Sequence, residues 1–443
     1  MTRYRILWPA FGAAVLLAGG CSGDAPSAGG QVSAGECVHI VDESTGETGK
    51  ECLPLAPEAD RVDLAEPRFS HPTGIDNPLH PTAGLDQTVF GGQVGGRPFR
   101  TEVTTLPGTK EITFDGRTVP ALTSQYVAFA DGRVVEVALD WYAQADDGSV
   151  WYLGEDVFNY EDGVVQDTEG TWQAGRDGAP AAMIMPADPR VGDVYRPENQ
   201  PGVVFEEVRV KAVDQTVDGP YGKVTGAITV RELHMDGSTE DKVFAPGYGE
   251  FSTGDRADLE AVSLAVPTDA GQGPVPRRLA ALDRAVDAVY AAPGAASARA
   301  AREAWEAYRG SDTVPGLLER QTGRDLGALA GDPADRGAAL RAAQDVSDLR
   351  LRYEDVRVVD RDRMAMWARQ LGVDARAGDA GAVAGDVTSL ELVRQRLGCD
   401  DAAVLAGLAE ARDAADREDM EAAAGAAGQL ARDLGRGAPQ GCG

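Results

Sequence analysis

The 443-residue chain has few residues of the kinds on which most cofactor-dependent and hydrolytic enzymes rely. It has four histidines, and none follows residue 234, so the carboxy-terminal half lacks ligands for His-bound haem or a Glu-x-x-His di-iron centre. It also has no Gly-x-Ser-x-Gly elbow, His-Glu-x-x-His motif, phosphate-binding loop or dinucleotide fingerprint. We therefore expect no cofactor, and among enzyme mechanisms only one that uses carboxylates alone stays open.

Positive charge is also scarce. The chain has 71 Asp and Glu residues against 42 Lys and Arg, of which only five are lysine, and its net charge is −29. A surface of this sign repels nucleic-acid phosphates and anionic lipid headgroups, so we expect neither as a partner. After the first twenty residues, no apolar run is long enough to span a bilayer as a helix.

The first twenty residues have the three parts of an export signal. Arg3 and Arg5 precede an apolar run over 6–18, and small residues follow it. The run is too short for a membrane-spanning helix, which needs about 20 residues. Residues 17–21, Leu-Ala-Gly-Gly-Cys, resemble the lipobox of bacterial lipoproteins, although Ala18 occupies the place that is usually aliphatic.

This resemblance implies that the signal peptide over 1–20 is removed and that the Cys21 thiol carries lipid. The lipid would hold the protein at the extracytoplasmic face of a membrane of the cell envelope. Residues 21–36 are rich in Ser, Gly and Ala, which predicts a flexible tether. The alternative is an ordinary signal peptide cut nearby, which leaves Cys21 free.

Lipidation of Cys21 leaves four of the five cysteines. Because exported proteins meet oxidising conditions, we expect disulfides between Cys37 and Cys52 and between Cys399 and Cys442. The Cys37–Cys52 disulfide would constrain a separate amino-terminal segment over 37–66. Free thiols or a metal site are the alternatives, but no Cys-x-x-Cys spacing occurs and only His39 lies near a cysteine.

Two periodicities divide the rest of the chain. Over 67–267, β-branched and aromatic segments are separated by Asp-Gly pairs, among them those at 115–116, 131–132, 147–148, 162–163, 177–178 and 236–237. Asp-Gly between such segments is a strong hairpin signal, so we predict an antiparallel β-meander that forms a barrel, half-barrel or sandwich. Over 277–443 apolar residues recur at helical spacing, which predicts a bundle of five to seven helices and an α+β multidomain protein.

The strongest candidate site lies in residues 140–156. A two-residue turn at Asp147-Gly148 would place Asp140 opposite Glu155 and Tyr142 opposite Leu153. With Tyr142 and Trp151, the two carboxylates form a candidate ligand-binding site, and as acid and base they would suit a hydrolase. The alternative is an amphipathic hairpin with solvated acids and core aromatic residues, and a longer loop would change the register.

The histidines suggest no firm metal site. His71 and His80 lie nine residues apart in Pro-rich segments, where loop packing is favoured over a shared metal site. His234 precedes the turn at 236–237 and is expected to be an exposed strand residue. We therefore predict no metal ligands.

Six segments resemble a family of uncharacterised secreted bacterial lipoproteins. Four lie in the β-rich half, at 140–156 (with the letters DWYAQ, DDG and VWYLGED), 169–175, 183–186 and 244–249. Two more, at 349–353 and 366–370, resemble the carboxy-terminal helical part of longer members. The resemblance implies kinship and an envelope location, and it implies no reaction and no functional residues.

These features favour a non-enzymatic envelope lipoprotein that binds a small molecule or an envelope protein. A curled meander suits a small apolar ligand, which would make the protein a carrier or a sensor. The alternatives are a protein that handles divalent metal ions with its carboxylates and a hydrolase that uses Asp140 and Glu155.

Overall fold

The computed structural model describes residues 37–42, 47–254 and 258–435. A 14-stranded antiparallel sheet is followed by eight helices, which confirms the predicted α+β class. The signal peptide, Cys21, the tether and Cys442 lie outside the described residues. Among the described helices, none combines the length and the apolar character needed to cross a membrane.

Two short strands precede the large sheet. Strands β1 (His39–Asp42) and β2 (Glu47–Cys52) pair with each other, and the predicted Cys37–Cys52 disulfide joins their ends. Val38, Val41 and Leu53 then pack against Phe205 and Leu233 of the large sheet. The disulfide-linked segment is therefore fastened to the sheet by a small apolar core of its own.

The large sheet curls without closing within the described residues. Its strands are β3 (Gln87–Val94), β4 (Arg97–Phe114), β5 (Arg117–Ala130), β6 (Arg133–Gln144), β7 (Val150–Glu161), β8 (Val164–Asp167), β9 (Trp172–Gln173), β10 (Ala182–Met185), β11 (Val194–Gln200), β12 (Val204–Gly219), β13 (Gly222–His234), β14 (Thr239–Ala245), β15 (Gly249–Thr253) and β16 (Leu259–Val266). Their order in the sheet is β10-β7-β6-β5-β4-β3-β16-β15-β14-β13-β12-β11, with β8 and β9 also paired to β7. The end strands β10 and β11 contact each other but share no hydrogen-bonded ladder. We call this junction the seam.

Asp-Gly pairs turn the chain between several of these strands. At 115–116, 131–132 and 162–163 both residues have positive φ, as a two-residue type I′ turn requires. At Asp147-Gly148 only the glycine does, because a longer loop over 145–149 joins β6 to β7. The chemistry of the turn residues thus positions most of the hairpins, but it does not fix the length of every loop.

The eight helices cover the outer face of the sheet. Val127, Phe129 and Val137 share one core with the later helices, and Val89 and Leu264 share another with the earlier ones. The helices are α1 (Arg277–Ala291), α2 (Ala295–Arg309), α3 (Gly316–Gly331), α4 (Arg336–Arg350), α5 (Val356–Ala377), α6 (Ala380–Leu397), α7 (Ala402–Asp416) and α8 (Met420–Leu434).

The expected number of five to seven helices was wrong. The break between α7 and α8 spans only residues 417–419 and contains neither proline nor glycine. Glu418 provides the reversal there with a φ of 52°. A conformation that is rare for glutamate therefore ends a helix that the sequence pattern alone would continue.

A buried ionic network joins the sheet to the helices, and we call it the arginine network. Glu102 of β4 accepts from Arg396 of α6 and lies 2.7 Å from Arg100 Nη1. Asp348 of α4 accepts from Arg100 Nη2 at 2.6 Å and from Arg363 Nη2 of α5 at 2.7 Å. Three buried carboxylates and three buried guanidinium groups compose the network. They are Glu102, Asp348, Asp360, Arg100, Arg363 and Arg396.

The network keeps Glu102 ionised despite its burial. Burial alone would raise the pKa of Glu102, but the guanidinium groups of Arg396, Arg363 and Arg100 hold it well below its usual value. Removing one charge would leave buried partners uncompensated, which costs far more than losing a surface ion pair.

We therefore predict that Glu102→Gln lowers the free energy of unfolding by about 3–5 kcal/mol, measured by urea denaturation. Glu111→Gln, at an exposed position on the same strand, is the matched control and should change it by less than about 0.5 kcal/mol. Equal effects of the two substitutions would contradict a structural role for the network.

Candidate functional site: an acid-lined cavity inside the curled sheet

The inner face of the curled sheet encloses a cavity of about 140 Å³. Strands from both halves of the sheet line it, together with the loop that contains His80. Its wall includes the aromatic residues Tyr126, Tyr142, Tyr152 and Phe244. Six carboxyl side chains also line it, namely Asp140, Glu198, Glu206, Glu232, Glu250 and Glu260.

The predicted hairpin contributes one wall of this cavity. Asp140 pairs with Glu155, as the two-residue turn predicted, whereas Tyr142 pairs with Tyr152 and not with Leu153. The loop over 145–149 shifts the pairing near the hairpin tip by one residue. A bulge at Gly154, which has a φ of 123°, restores the register at Asp140.

The alternative of solvated acids was wrong, because Asp140 is 5% exposed and Glu155 is fully buried. Tyr152 donates its hydroxyl hydrogen to Asp140 Oδ1 at 2.9 Å and stacks on Tyr142 with ring centroids 4.8 Å apart. Trp151 is buried in the same apolar cluster as Tyr142 and Tyr152 but does not line the cavity, and its indole nitrogen donates to Ser149 Oγ at 2.9 Å. Of the four candidate residues, the structure thus brings Asp140, Tyr142 and Glu155 together and leaves Trp151 apart.

Glu155 lies where the two ends of the sheet meet. It extends from β7 beside Glu198 of β11, so two carboxyl groups face each other across the seam. Burial, and then the charge of Glu198, raise the pKa of Glu155 well above its usual value. Two adjacent buried carboxyls are stable when at least one carries a proton, which lets it donate to the other.

Other interior carboxyls also hold their protons to unusually high pH. Burial, and then the nearby charges of Asp140 and Glu260, raise the pKa of Glu136 to about 8. Burial raises that of Asp140 to about 7, although the hydrogen bond from Tyr152 opposes the shift. Burial, and then Glu250, raise that of Glu260 to about 8. Without a positively charged ligand, much of the interior is therefore protonated at neutral pH.

A more polar group lies on strands β12, β13 and β14. His234 Nδ1 is 3.2 Å from Glu206 Oε1, and its Nε2 is 3.6 Å from Glu240 Oε1. Lys242 Nζ is 3.0 Å from Glu232 Oε2. Burial alone would lower the pKa of His234, but its contact with Glu206 raises it to about 9, so the imidazole is protonated.

The expectation that His234 is exposed was wrong, since only 6% of its surface is accessible. The signal that could have placed it was strand alternation. Ile228 and Val230 are apolar and lie on the same face as Glu232 and His234, so this face of β13 points inward. These residues were missed because the aromatic cluster at 140–156 gives the stronger signal in the sequence.

The other candidate histidine pair does not share a site. His80 is buried against Tyr142, with ring centroids 4.7 Å apart, and Thr82 Oγ1 lies 2.8 Å from its Nδ1. Burial lowers the pKa of His80 to about 4, so it is neutral. His71 is exposed. Loop packing therefore describes His80 better than the shared metal site does.

A second cavity, of about 570 Å³, lies between the outer face of the sheet and helices α3 to α6. Six aspartates and four arginines line it, and some of them form ion pairs, such as Arg341 with Asp325. The inner cavity has six carboxyl side chains and no arginine among the described residues that line it. Of the described side chains that line it, Lys242 is the one amine.

The chain matches no known protein-family model, and neither the curated proteins nor the solved structures contain a significant match to it. The resemblance to secreted bacterial lipoproteins therefore stays a prediction, and the site rests on its own geometry.

The raised pKa values predict that stability falls as pH rises. Glutamate in the unfolded chain titrates near 4.5, whereas Glu136 in the folded protein titrates near 8. Between these values the folded state binds more protons, so each such group removes about 1.4 kcal/mol of stability per pH unit. The window from pH 5.5 to 8 avoids the carboxyls with lowered pKa, such as Glu102.

We expect urea denaturation to show a smaller loss of stability from pH 5.5 to 8 in Glu136→Gln than in the unmodified protein. Glutamine imitates the protonated acid but does not titrate. Glu111→Gln removes an exposed charge and should keep the full pH dependence. A Glu136→Gln protein with the unmodified slope would show that this carboxyl is ionised when buried.

Proposed function

We propose that this protein is an extracytoplasmic, lipid-anchored binding protein that takes up a small cation in its acid-lined cavity. The excess of carboxyls in the cavity is the observation that carries the proposal. Six of them line about 140 Å³, with Lys242 as the one amine among the described lining residues. A cation that enters gains their attraction in a medium of low dielectric constant.

The lining argues against the small apolar ligand that a curled meander first suggests. An apolar molecule would leave Asp140 and Glu260 without the solvation or the charge partner that buried carboxyls need. The cavity is also small, close in size to cavities that hold one benzene molecule. A metal ion or a short amine suits both its charge and its volume.

The site suits a hydrolase less well. An acid and base pair works when the environment pushes the two pKa values apart. Burial instead raises the pKa values of both Asp140 and Glu155, so the environment shifts the two groups in the same direction and not apart. Binding therefore accounts for the pair better than catalysis does.

We predict that cations raise the thermal stability of the protein, measured as a shift in Tm. The probes are MnCl₂, ZnCl₂, CaCl₂ and putrescine, with butane-1,4-diol as the uncharged control for putrescine. A probe present at 100 times its Kd should add about 2.7 kcal/mol of stability. The shift should grow from pH 5.5 to 8, because entry displaces protons from carboxyls such as Glu136 and Glu260.

Native mass spectrometry of the protein from its own host provides an independent test. A retained metal ion or amine would support the proposal. A retained fatty acid or other apolar molecule, or the absence of any cation-dependent shift in Tm, would contradict it.

The anchor has a separate test. In the native host, the protein should partition into the detergent phase of Triton X-114, and Cys21→Ser should move it to the aqueous phase. The reason is that lipid on Cys21 supplies the attachment. An unmodified protein found in the aqueous phase with a free Cys21 thiol would favour the ordinary signal peptide.

A further inference from the structure

We infer that Glu206, Glu232 and His234 form a binding site for a divalent first-row transition-metal ion. This inference rests on the proposed function, since it names the class of cation and a site whose Glu206 and Glu232 line the cavity. Ligand atoms of the three side chains lie within 4.8 Å of one another, and all three residues are buried. Among the described residues, they are the one set of three such side chains with this spacing.

The sheet places these side chains rigidly. Glu206 of β12 is the direct cross-strand partner of His234 on β13, and Glu232 precedes His234 by two residues on the same face. The two strands pair in register over 206–210 and 230–234. A site built on paired strands is held more precisely than one built on loops. Two donors to one ion, each about 2.2 Å from it, lie at most about 4.4 Å apart, so little movement is needed.

A second observation concerns two buried polar atoms beside these side chains. His234 Nε2 is inaccessible to solvent and makes no hydrogen bond among the described residues. The same is true of Glu240 Oε1, its ion-pair partner at 3.6 Å. Because buried polar atoms are nearly always hydrogen-bonded, these two groups keep the capacity to bind a ligand.

The donor set indicates the class of metal. A metal ion binds the neutral imidazole, so it must displace the proton that His234 carries in its ion pair with Glu206. One neutral imidazole with two carboxylates suits Mn²⁺, Fe²⁺, Co²⁺ and Zn²⁺. Ca²⁺ and Mg²⁺ prefer sites composed only of oxygen atoms. Three protein ligands also leave coordination positions open for water or for a ligand carried by the metal.

Lys242 is the internal competitor for this ion. Its ammonium lies 3.0 Å from Glu232 Oε2 and is itself buried, so it already neutralises part of the ligand set. A metal ion at the site therefore meets repulsion from the ammonium. Replacing Lys242 by the uncharged methionine should remove that repulsion and strengthen metal binding.

The test is titration of the full chain with CoCl₂ and ZnCl₂ in excess MgCl₂, which occupies the acidic surface. Calorimetry gives Kd, and the absorption spectrum of Co²⁺ reports its coordination. Glu206→Gln, Glu232→Gln and His234→Asn should each weaken binding at least about tenfold and change the spectrum. Asp140→Asn removes a carboxyl elsewhere in the cavity and tests whether the whole cavity holds the ion. Glu111→Gln, at an exposed position outside the cavity, is the matched control and should change Kd less than about threefold. Circular dichroism and Tm establish that each variant is folded.

Tighter binding by Lys242→Met, together with selective loss in the three ligand variants, would support the site. Equal weakening by Asp140→Asn and the ligand variants would overturn it, since the ion would then be held by the whole cavity, as the proposed function allows. Stabilisation by putrescine without binding of Co²⁺ or Zn²⁺ would also overturn the metal site and leave the proposed function standing. Failure of every cation to bind would reject both.

Discussion

Ion pairs between Glu102 and the buried arginines join the two halves of this protein. The sheet provides Glu102 and Arg100, and the helices provide Asp348, Asp360, Arg363 and Arg396. A buried network of this kind adds little net stability compared with apolar packing, but it tolerates little displacement of its members. The outer face of the sheet is therefore fixed against the helices, and the curl that encloses the cavity is fixed with it.

The two faces of the sheet differ in how their buried acidic groups are compensated. On the outer face, the acids and bases of the arginine network balance each other, and Glu102 is ionised. On the inner face, carboxyls lack enough bases, and groups such as Glu136 and Glu260 retain protons instead. Because alternate residues of one strand point to opposite faces, neighbouring positions on β4, β5 and β6 serve these two environments at once.

Much of the fold could be predicted from the sequence, because its signals are local. The Asp-Gly turns at 115–116 and 131–132 and the change from strand to helix periodicity need only neighbouring residues. The eighth helix was missed because Glu418 reverses the chain without proline or glycine. The arginine network was also missed, since it joins residues as distant in sequence as Glu102 and Arg396.

The candidate site was predictable in part for the same reason. Asp140 and Tyr142 belong to one hairpin, whose aromatic residues attract attention in the sequence. Glu206, Glu232 and His234 have no such local signature, and only the inward face of β13 indicates their burial. Strand alternation could have located Glu232 and His234, but the approach of β11 to β7 depends on how the whole sheet curls.

The bulge at Gly154 has a consequence for how the hairpin tolerates change during evolution. A two-residue turn without a bulge and the observed longer loop with a bulge both place Asp140 opposite Glu155. Both arrangements use the same residues between the two acids, so the bulge absorbs a one-residue shift in the pairing of the tip without moving Asp140 or Glu155. The tip can therefore change its loop conformation during evolution while the same two acids stay inside.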